Sequence, residues 1–221
     1  MNQHLCPTYV INTDTCTALR DVPDGLLAVF CLACAERGSG VLARLADPED
    51  AEWFAEMLEV AWQAPLGNVS EDTLIDILDQ FEMKSESLDT EDPDSKGFFI
   101  DQCAMLIANA IAVHLNPSAA RAEMSGQTLE TILGTFDFML SRVQSVIVKP
   151  GLQEPPVGRL QRLEQEAQNS IVDSLKELAT QQRGIADSDF LVNMRNTSSP
   201  VRDEMAAATD EVSDIAGWGD V

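Results

Sequence analysis

The chain has 221 residues, of which 45% are hydrophobic and 23% are charged, a composition typical of a folded domain and not of a disordered or fibrous chain. Its 37 acidic and 14 basic residues give a formal net charge of -23, so nucleic acid and anionic lipid are expected to be repelled. The length lies near the upper limit of what one hydrophobic core serves, and we therefore expect a single domain.

Cysteine usage and the N-terminus both favour a cytoplasmic protein. The five cysteines are an odd number scattered over half of the chain, unlike the dense paired framework of a small secreted domain. The first twenty residues contain no basic segment followed by an apolar run, so no secretory signal is visible. The stretch 97–115 is weakly charged but contains Asp101 and His114, and we interpret it as a buried helix and not as a membrane span.

The first elements along the chain are an arm and one or two helices. Residues 1–22 are expected to form an N-terminal arm, in which the run Thr-Tyr-Val-Ile-Asn at 8–12 is either an edge strand or simply extended. A helix begins at Pro23 and Asp24. We expect the Gly-Ser-Gly sequence at 38–40 to stop it and a short helix to follow over 41–46.

The next two helices carry most of the acidic residues. A helix is predicted from Pro48 to about Ala64, because Asp47 can cap it and proline is favoured in its first turn. One side of it is apolar at three- and four-residue spacing, and the other side carries a row of glutamates. A further helix begins after Ser70, and the polar stretch 84–96 is predicted to be an acidic loop.

The remaining helices are predicted to surround a central one. The helix at about 97–115 is apolar on nearly all sides and should lie at the centre of a bundle. Another begins at Ser125, and a long helix over about 156–183 carries a narrow apolar seam that suits one neighbour, either an earlier helix or a second protomer of a homodimer. The last segment is poor in large apolar residues and interrupted at 196–200, so we expect it to be weakly packed.

These elements predict an all-α, single-domain, multi-helix bundle around the helix at 97–115. The expected parts are the N-terminal arm (1–22), the helical bundle domain (23–184) and a C-terminal helical tail (185–221). The tail is expected to pack on the bundle or to extend from it.

The residues with the spacing of known chemical motifs do not complete any of them. Cys31 and Cys34 are spaced like a metal or redox pair, but no second pair accompanies them, and we interpret both as small core residues. Nucleophilic catalysis would need a histidine base, and His114 has a structural position at a helix end. An EF-hand frame starting at Asp92 lacks two of its ligands. The sequence therefore predicts no metal ion, no cofactor and no identifiable catalytic residue.

Asp101 is exceptional because it is a carboxylate within an otherwise apolar helix. Such a group must face a partner, water or a cleft. One interpretation is a capping role in the first turns of the helix. The other is a functional role, together with the acidic loop, in a metal-dependent hydrolase, and both stay open.

Acidic residues are concentrated between Asp47 and Asp94, where 16 of the 37 carboxylates accompany a single lysine, a net charge of -15. Such a band is typical either of an interface for a basic protein or of a surface that keeps a protein soluble. If the band is an interface, the candidate partner-binding residues are Glu49, Glu52, Glu56, Glu59, Asp72, Asp76, Asp79, Asp89, Glu91, Asp92 and Asp94.

Several short motifs follow one another in an order that resembles the YjaG-like family of all-helical bacterial proteins of unknown function. They are Cys34-Ala-Glu-Arg37, EVAWQAPLG, LDTEDPDSKGFFIDQCAMLIANAIAVHL, LxxLEQEAQNSIVDSLKEL and DEVSDIAGWG. The chain departs from the family pattern at Asp214 and Ala216, where asparagine and glycine are usual, and at the inserted stretch 196–200. The resemblance implies a helical fold over most of the chain and supplies no catalytic or binding residue.

The function that the sequence favours is that of a noncatalytic cytosolic protein-binding module, in concrete form an immunity or antitoxin protein that neutralises a basic partner. Two alternatives stay open. One is the metal-dependent hydrolase that uses Asp101 and the acidic loop. The other is an inhibitor that mimics DNA, whose carboxylates would be spaced like phosphates.

Overall fold

The computed structural model describes residues 12–86, 92–141, 157–181 and 186–219. Within these ranges the chain forms α-helices and one 3-10 turn at Ala64–Leu66, without a strand. The helices are α1 (Thr13–Leu19), α2 (Asp24–Leu45), α3 (Pro48–Gln63), α4 (Glu71–Ser85), α5 (Lys96–Leu115), α6 (Ala119–Ser141), α7 (Arg159–Thr180) and α8 (Ser188–Ala216). The predicted all-α bundle is confirmed, whereas most of the run that we considered as an edge strand lies outside the described residues.

Two apolar helices build the core. The predicted central helix, α5, has 11 of its 20 residues buried, and α2 is buried more deeply, with 17 of 22. α2 packs along both α5 and α8 and also touches α3, α6 and α7. The bundle is therefore organised around α2 and α5 together.

The predicted helix stop at 38–40 is wrong, because α2 continues unbroken to Leu45. A Cβ atom added to Gly40 would collide with the backbone carbonyl of Arg202 in α8, and one added to Gly38 would lie 2.8 Å from a methyl of Leu106 in α5. The two glycines thus let α5 and α8 approach α2 closely. This packing offsets a helix-propensity cost of about 1 kcal/mol per glycine relative to alanine.

The C-terminal segment also differs from its prediction. α8 is one helix of 29 residues that includes Pro200, where we expected a break and weak packing. Proline removes one helical hydrogen bond, the one that its own N–H would donate to the Asn196 carbonyl. In the turn before it, Ser198 Oγ donates to the Met194 carbonyl at 3.0 Å. Buried residues such as Met205 and Val212 hold α8 against the core. Extensive tertiary packing therefore overrides the local breaking signal.

Helices α1, α6 and α7 close the other side of the bundle. Part of the predicted N-terminal arm forms α1, which rests on α6 and α7. α6 begins at Ala119, so that Ser125, its predicted start, lies buried inside the helix. The apolar seam of α7 packs mainly on α6 and also touches α1, α2 and α8, and the seam thus has its neighbours within the same chain. Both predicted ends of the helix at about 156–183, which corresponds to α7, fall outside the described residues.

Two helices, α2 and α5, are long and apolar enough by length and composition alone to cross a membrane. In this fold, 89% of the relevant window of α2 and 61% of that of α5 are buried inside the protein. The bundle core thus accounts for the apolar character of both helices.

Candidate functional site

The candidate site is built on α3 and α4, which are neighbours in the fold. The ring of Trp53 in α3 lies 4.8 Å from that of Phe81 in α4, measured between centroids. Lys84 Nζ contacts Asp50 Oδ1 at 2.6 Å and lies 5.1 Å from the centre of the Trp53 ring. These contacts bring together the two helices that the sequence predicts to be acidic.

Each of the two helices buries its apolar stripe and exposes its carboxylates. Phe54 and Leu58 of α3, and Leu74 and Ile77 of α4, are buried in the core. The predicted acidic residues on the opposite sides are all exposed: Glu49, Glu52, Glu56 and Glu59 on α3, and Asp72, Asp76 and Asp79 on α4. We refer to these seven carboxylates as the acidic face.

Most of the acidic face has no cation among the described residues. Glu59 Oε2 accepts a hydrogen bond from Arg195 Nη1 at 2.7 Å. The other six carboxylates form no hydrogen bond or ion pair within the described part of the chain. Lys84, the single lysine of the acidic band, pairs with Asp50, which lies outside the face. The acidic face therefore presents uncompensated negative charge to solvent.

The rest of the predicted acidic set precedes α5 in the sequence. Asp89 and Glu91 fall outside the described residues. Asp92 and Asp94 are exposed, and Asp92 Oδ1 accepts a hydrogen bond from the backbone N–H of Asp94 at 3.0 Å, which is local turn geometry. Among the described residues, no group of three His, Cys, Asp or Glu side chains is placed to hold a metal ion.

Asp101 is buried, with 8% of its surface exposed, and its carboxylate is hydrogen-bonded within the protein. Oδ1 accepts from Ser85 Oγ at 2.5 Å, and Oδ2 accepts from Gln102 Nε2 at 3.4 Å. Ser85 is the last residue of α4, so Asp101 ties the end of α4 to the second turn of α5. This hydrogen bond accounts for a carboxylate in an apolar helix, and no ligand is needed to explain its presence.

The cysteines Cys31, Cys34 and Cys103 are buried. Burial raises the pKa of Cys31 to about 12 and also raises the pKa of Cys34 and of Cys103 well above the ordinary value. A thiol that stays protonated is a poor nucleophile and a poor metal ligand. Their environment therefore favours the interpretation of Cys31 and Cys34 as core residues.

Burial also lowers the pKa of His114, and Glu71 opposes that shift.

Sequence reasoning missed a buried charged network at the junction of α2, α6 and α7. The Arg37 and Glu164 side chains are both 0% exposed, and Arg37 donates from Nε and Nη2 to the two carboxylate oxygens at 2.7 and 2.6 Å. Gln168 Nε2 donates to Glu164 Oε1 at 2.9 Å and to the Gly126 carbonyl at 3.1 Å. We refer to Arg37, Glu164 and Gln168, together with Glu130, as the inner network.

Glu130 is the carboxylate of the inner network that pairs with no cation in the described part of the chain. Its Oε2 accepts from the backbone N–H of Asn12 at 3.2 Å and from Gln165 Nε2 at 3.0 Å. Burial raises its pKa to about 7, although the two hydrogen bonds oppose the shift. A signal for this network existed in α7, because Glu164 and Gln168 continue the helical spacing of the buried Ile171.

A second cluster missed by the sequence analysis joins α2, α3 and α8. Glu36 is 1% exposed and accepts hydrogen bonds from Trp62 Nε1 at 3.0 Å, Arg195 Nε at 3.1 Å and Arg202 Nη1 at 2.8 Å. Glu36, Arg195 and Arg202 border a surface groove of about 390 Å³ between the three helices, and Arg44 also lines it. All three arginines pair with carboxylates, so among the described residues the groove contains no ready-made anion site.

No family model matches the chain, and comparison with curated proteins and with solved structures found no significant match. The resemblance to the YjaG-like family therefore stays a prediction.

Proposed function

We propose that this protein is a noncatalytic binding module whose acidic face recognises a basic protein partner. The observation that supports this function best is the set of six exposed carboxylates on two neighbouring helices that have no cation within the described residues. Two buried carboxylates are paired with arginines inside the fold, since Glu164 meets Arg37, and Glu36 meets Arg195 and Arg202. The carboxylates of the acidic face, in contrast, are accessible to an external cationic partner.

Complementary charge acts mainly on the rate and the selectivity of association. A surface of one sign steers a partner of the opposite sign and suppresses binding of like-charged proteins, and salt weakens both effects. In concrete form, the partner is a cationic toxin in the cytosol, and the module is its immunity or antitoxin protein. Such a role needs no catalytic group or cofactor.

The metal-dependent hydrolase is less well supported. Its motivating residue, Asp101, is hydrogen-bonded to Ser85 and Gln102. No metal-binding group of side chains occurs among the described residues.

Calorimetric titration with basic proteins at low and physiological salt tests the proposal. Neutralising the α3 part of the face in Glu49→Gln/Glu52→Gln/Glu56→Gln should weaken binding about tenfold, at roughly 0.5 kcal/mol per charge. The matched control is Glu166→Gln/Asp173→Asn/Glu177→Gln, which removes three exposed carboxylates from α7. We expect this control to weaken binding less than about threefold.

Equal weakening by the two triple variants would mean that only net charge matters and would contradict a defined binding face. Absence of any salt-sensitive binding to basic proteins would contradict the proposed function as a whole.

A further inference from the structure

The outward side of α4 carries large apolar side chains among its carboxylates. Ile75 is 49% exposed and Met83 is 64% exposed. Helical geometry places both within the same arc of about 100° as Asp72, Asp76 and Asp79. We refer to these five residues as the α4 stripe.

The α4 stripe is not needed to hold α4 in place. The opposite side of the helix supplies the buried residues Leu74, Ile77 and Phe81, and it packs on α5 and against Trp53. Single exposed apolar residues are common on protein surfaces. Here, however, two of them flank aspartates that have no cation within the described residues.

The spacing of the apolar side chains fits a helical partner. Ile75 and Met83 are eight residues apart, or about 12 Å along the axis, which is close to two helical turns. A helix laid against another presents apolar residues at intervals of one and two turns, such as i, i+4 and i+7. Lysine or arginine residues beside those anchors would reach the aspartates between Ile75 and Met83.

We infer that the α4 stripe docks a basic amphipathic helix of the partner, with Ile75 and Met83 as apolar contacts and Asp72, Asp76 and Asp79 as its charged flanks. This inference rests on the proposed function and specifies the partner's chemistry. A second copy of the chain does not fit, because pairing two α4 stripes would place aspartates against aspartates. Nucleic acid and anionic membranes are repelled by the same charge.

The two kinds of residue in the stripe have different tasks. The aspartates attract the partner over a distance and raise the association rate. The apolar contacts lose water only when the helix is seated, so they act on the dissociation rate. Charge alone would bind any basic segment, whereas the apolar contacts select one that is amphipathic.

Two 18-residue peptides of lysine, leucine and alanine test this inference. One is designed as an amphipathic helix, and the other has the same composition in an order without an apolar side. Titrated by calorimetry at physiological salt, the protein should bind the amphipathic peptide about tenfold more tightly than the scrambled one. In Ile75→Gln/Met83→Gln this preference should disappear, while the weak binding of the scrambled peptide persists.

Glutamine is a good helix former, so these changes should preserve α4. The matched control is Met124→Gln/Val192→Gln, which replaces apolar residues exposed by 59% and 55% on other helices and should keep the preference. Circular dichroism checks folding, and Met83→Gln alone serves if the double variant unfolds. It should reduce the preference about threefold.

The outcomes separate this inference from the proposed function. The helix-docking inference is overturned if the protein binds both peptides equally, or if the preference survives in Ile75→Gln/Met83→Gln. If basic proteins still bind in a salt-sensitive way, the proposed function is unaffected by that result. Sedimentation experiments could show a dimer that the Ile75→Gln/Met83→Gln substitutions dissociate. This result would also overturn the inference, because the α4 stripe would then bind a second copy of the chain. If basic proteins do not bind either, the proposed function fails as well.

Discussion

The inner network and the acidic face treat charge in opposite ways. Arg37 and Glu164 are fully buried and form a two-pronged ion pair. The acidic face is exposed, and six of its seven carboxylates have no cation among the described residues. A buried charge must be paired because the interior solvates it poorly, whereas water can solvate an exposed one. The unpaired charges of the acidic face therefore lie where they cost the fold little and where a partner can reach them, whereas burial without a cation raises the pKa of Glu130 to about 7.

The strongest test of this comparison removes the cation of the inner network. Arg37→Met leaves Glu164 buried without a counterion, and it should lower the free energy of unfolding by about 3–5 kcal/mol in urea titrations. The control Arg20→Met breaks the pair with Glu123 at the surface, where Arg20 is 67% exposed, and it should lower that free energy far less than Arg37→Met does.

Removing both charges of the buried pair should restore most of the free energy of unfolding that Arg37→Met loses. Arg37→Met/Glu164→Leu removes both charges, and its free energy of unfolding should lie closer to the wild-type value than that of Arg37→Met. If Arg37→Met lowers the free energy of unfolding by less than about 1 kcal/mol, the buried ion pair is not critical for stability. The contrast between this pair and the acidic face would then fail.

A smaller effect is expected from the pH dependence of Glu130. Its pKa is about 7 in the folded protein against an ordinary 4.5, so the folded state binds the proton more tightly than the unfolded state. The favourable contribution of Glu130 to the free energy of unfolding is complete below pH 4.5 and is lost as the pH rises through 7. Relative to wild type, the free energy of unfolding of Glu130→Gln should therefore rise by on the order of 2–3 kcal/mol between pH 5 and pH 8.

The measurement is the difference between the two free energies of unfolding across that range, which cancels the titration of other groups. A difference that stays constant, or that falls with rising pH, would contradict the assignment of a raised pKa to Glu130.

The smallest effect on stability is expected from the acidic face. Neutralisation in Glu49→Gln/Glu52→Gln/Glu56→Gln should change the free energy of unfolding by at most about 0.5 kcal/mol per site. The change should be stabilising at low salt, because like charges repel, and it should vanish at high salt. Thermal melts at two salt concentrations measure it, and a large destabilisation would show that these carboxylates support the fold.

The sequence was most informative where the relevant signal is local. The predicted start of α3 at Pro48 is confirmed, because Asp47 and Pro48 mark a helix beginning by their own backbone preferences. The outward position of the glutamates on α3 followed from the apolar periodicity of the same helix. Glu49, Glu52, Glu56 and Glu59 are all exposed, as that periodicity predicts.

The predictions failed where a distant part of the chain decides. The local sequence around Gly38 and Gly40 predicts the end of a helix. Both glycines nevertheless lie inside α2, at the positions where α5 and α8 pack closely against it. Pro200 read as a break, yet packing on α2 keeps α8 continuous. Glu164 is a charged residue of α7, yet it lies in the core, where it pairs with Arg37.

By itself, the amino-acid sequence determined the helical class, most helix positions, the strong negative charge and its concentration on α3 and α4. These properties depend on neighbouring residues, through backbone preference, apolar periodicity and the sum of charges. Only the tertiary structure decided which charges are paired. Arg37 and Glu164 are 127 residues apart in the chain, and they meet only because three helices pack around them and exclude water.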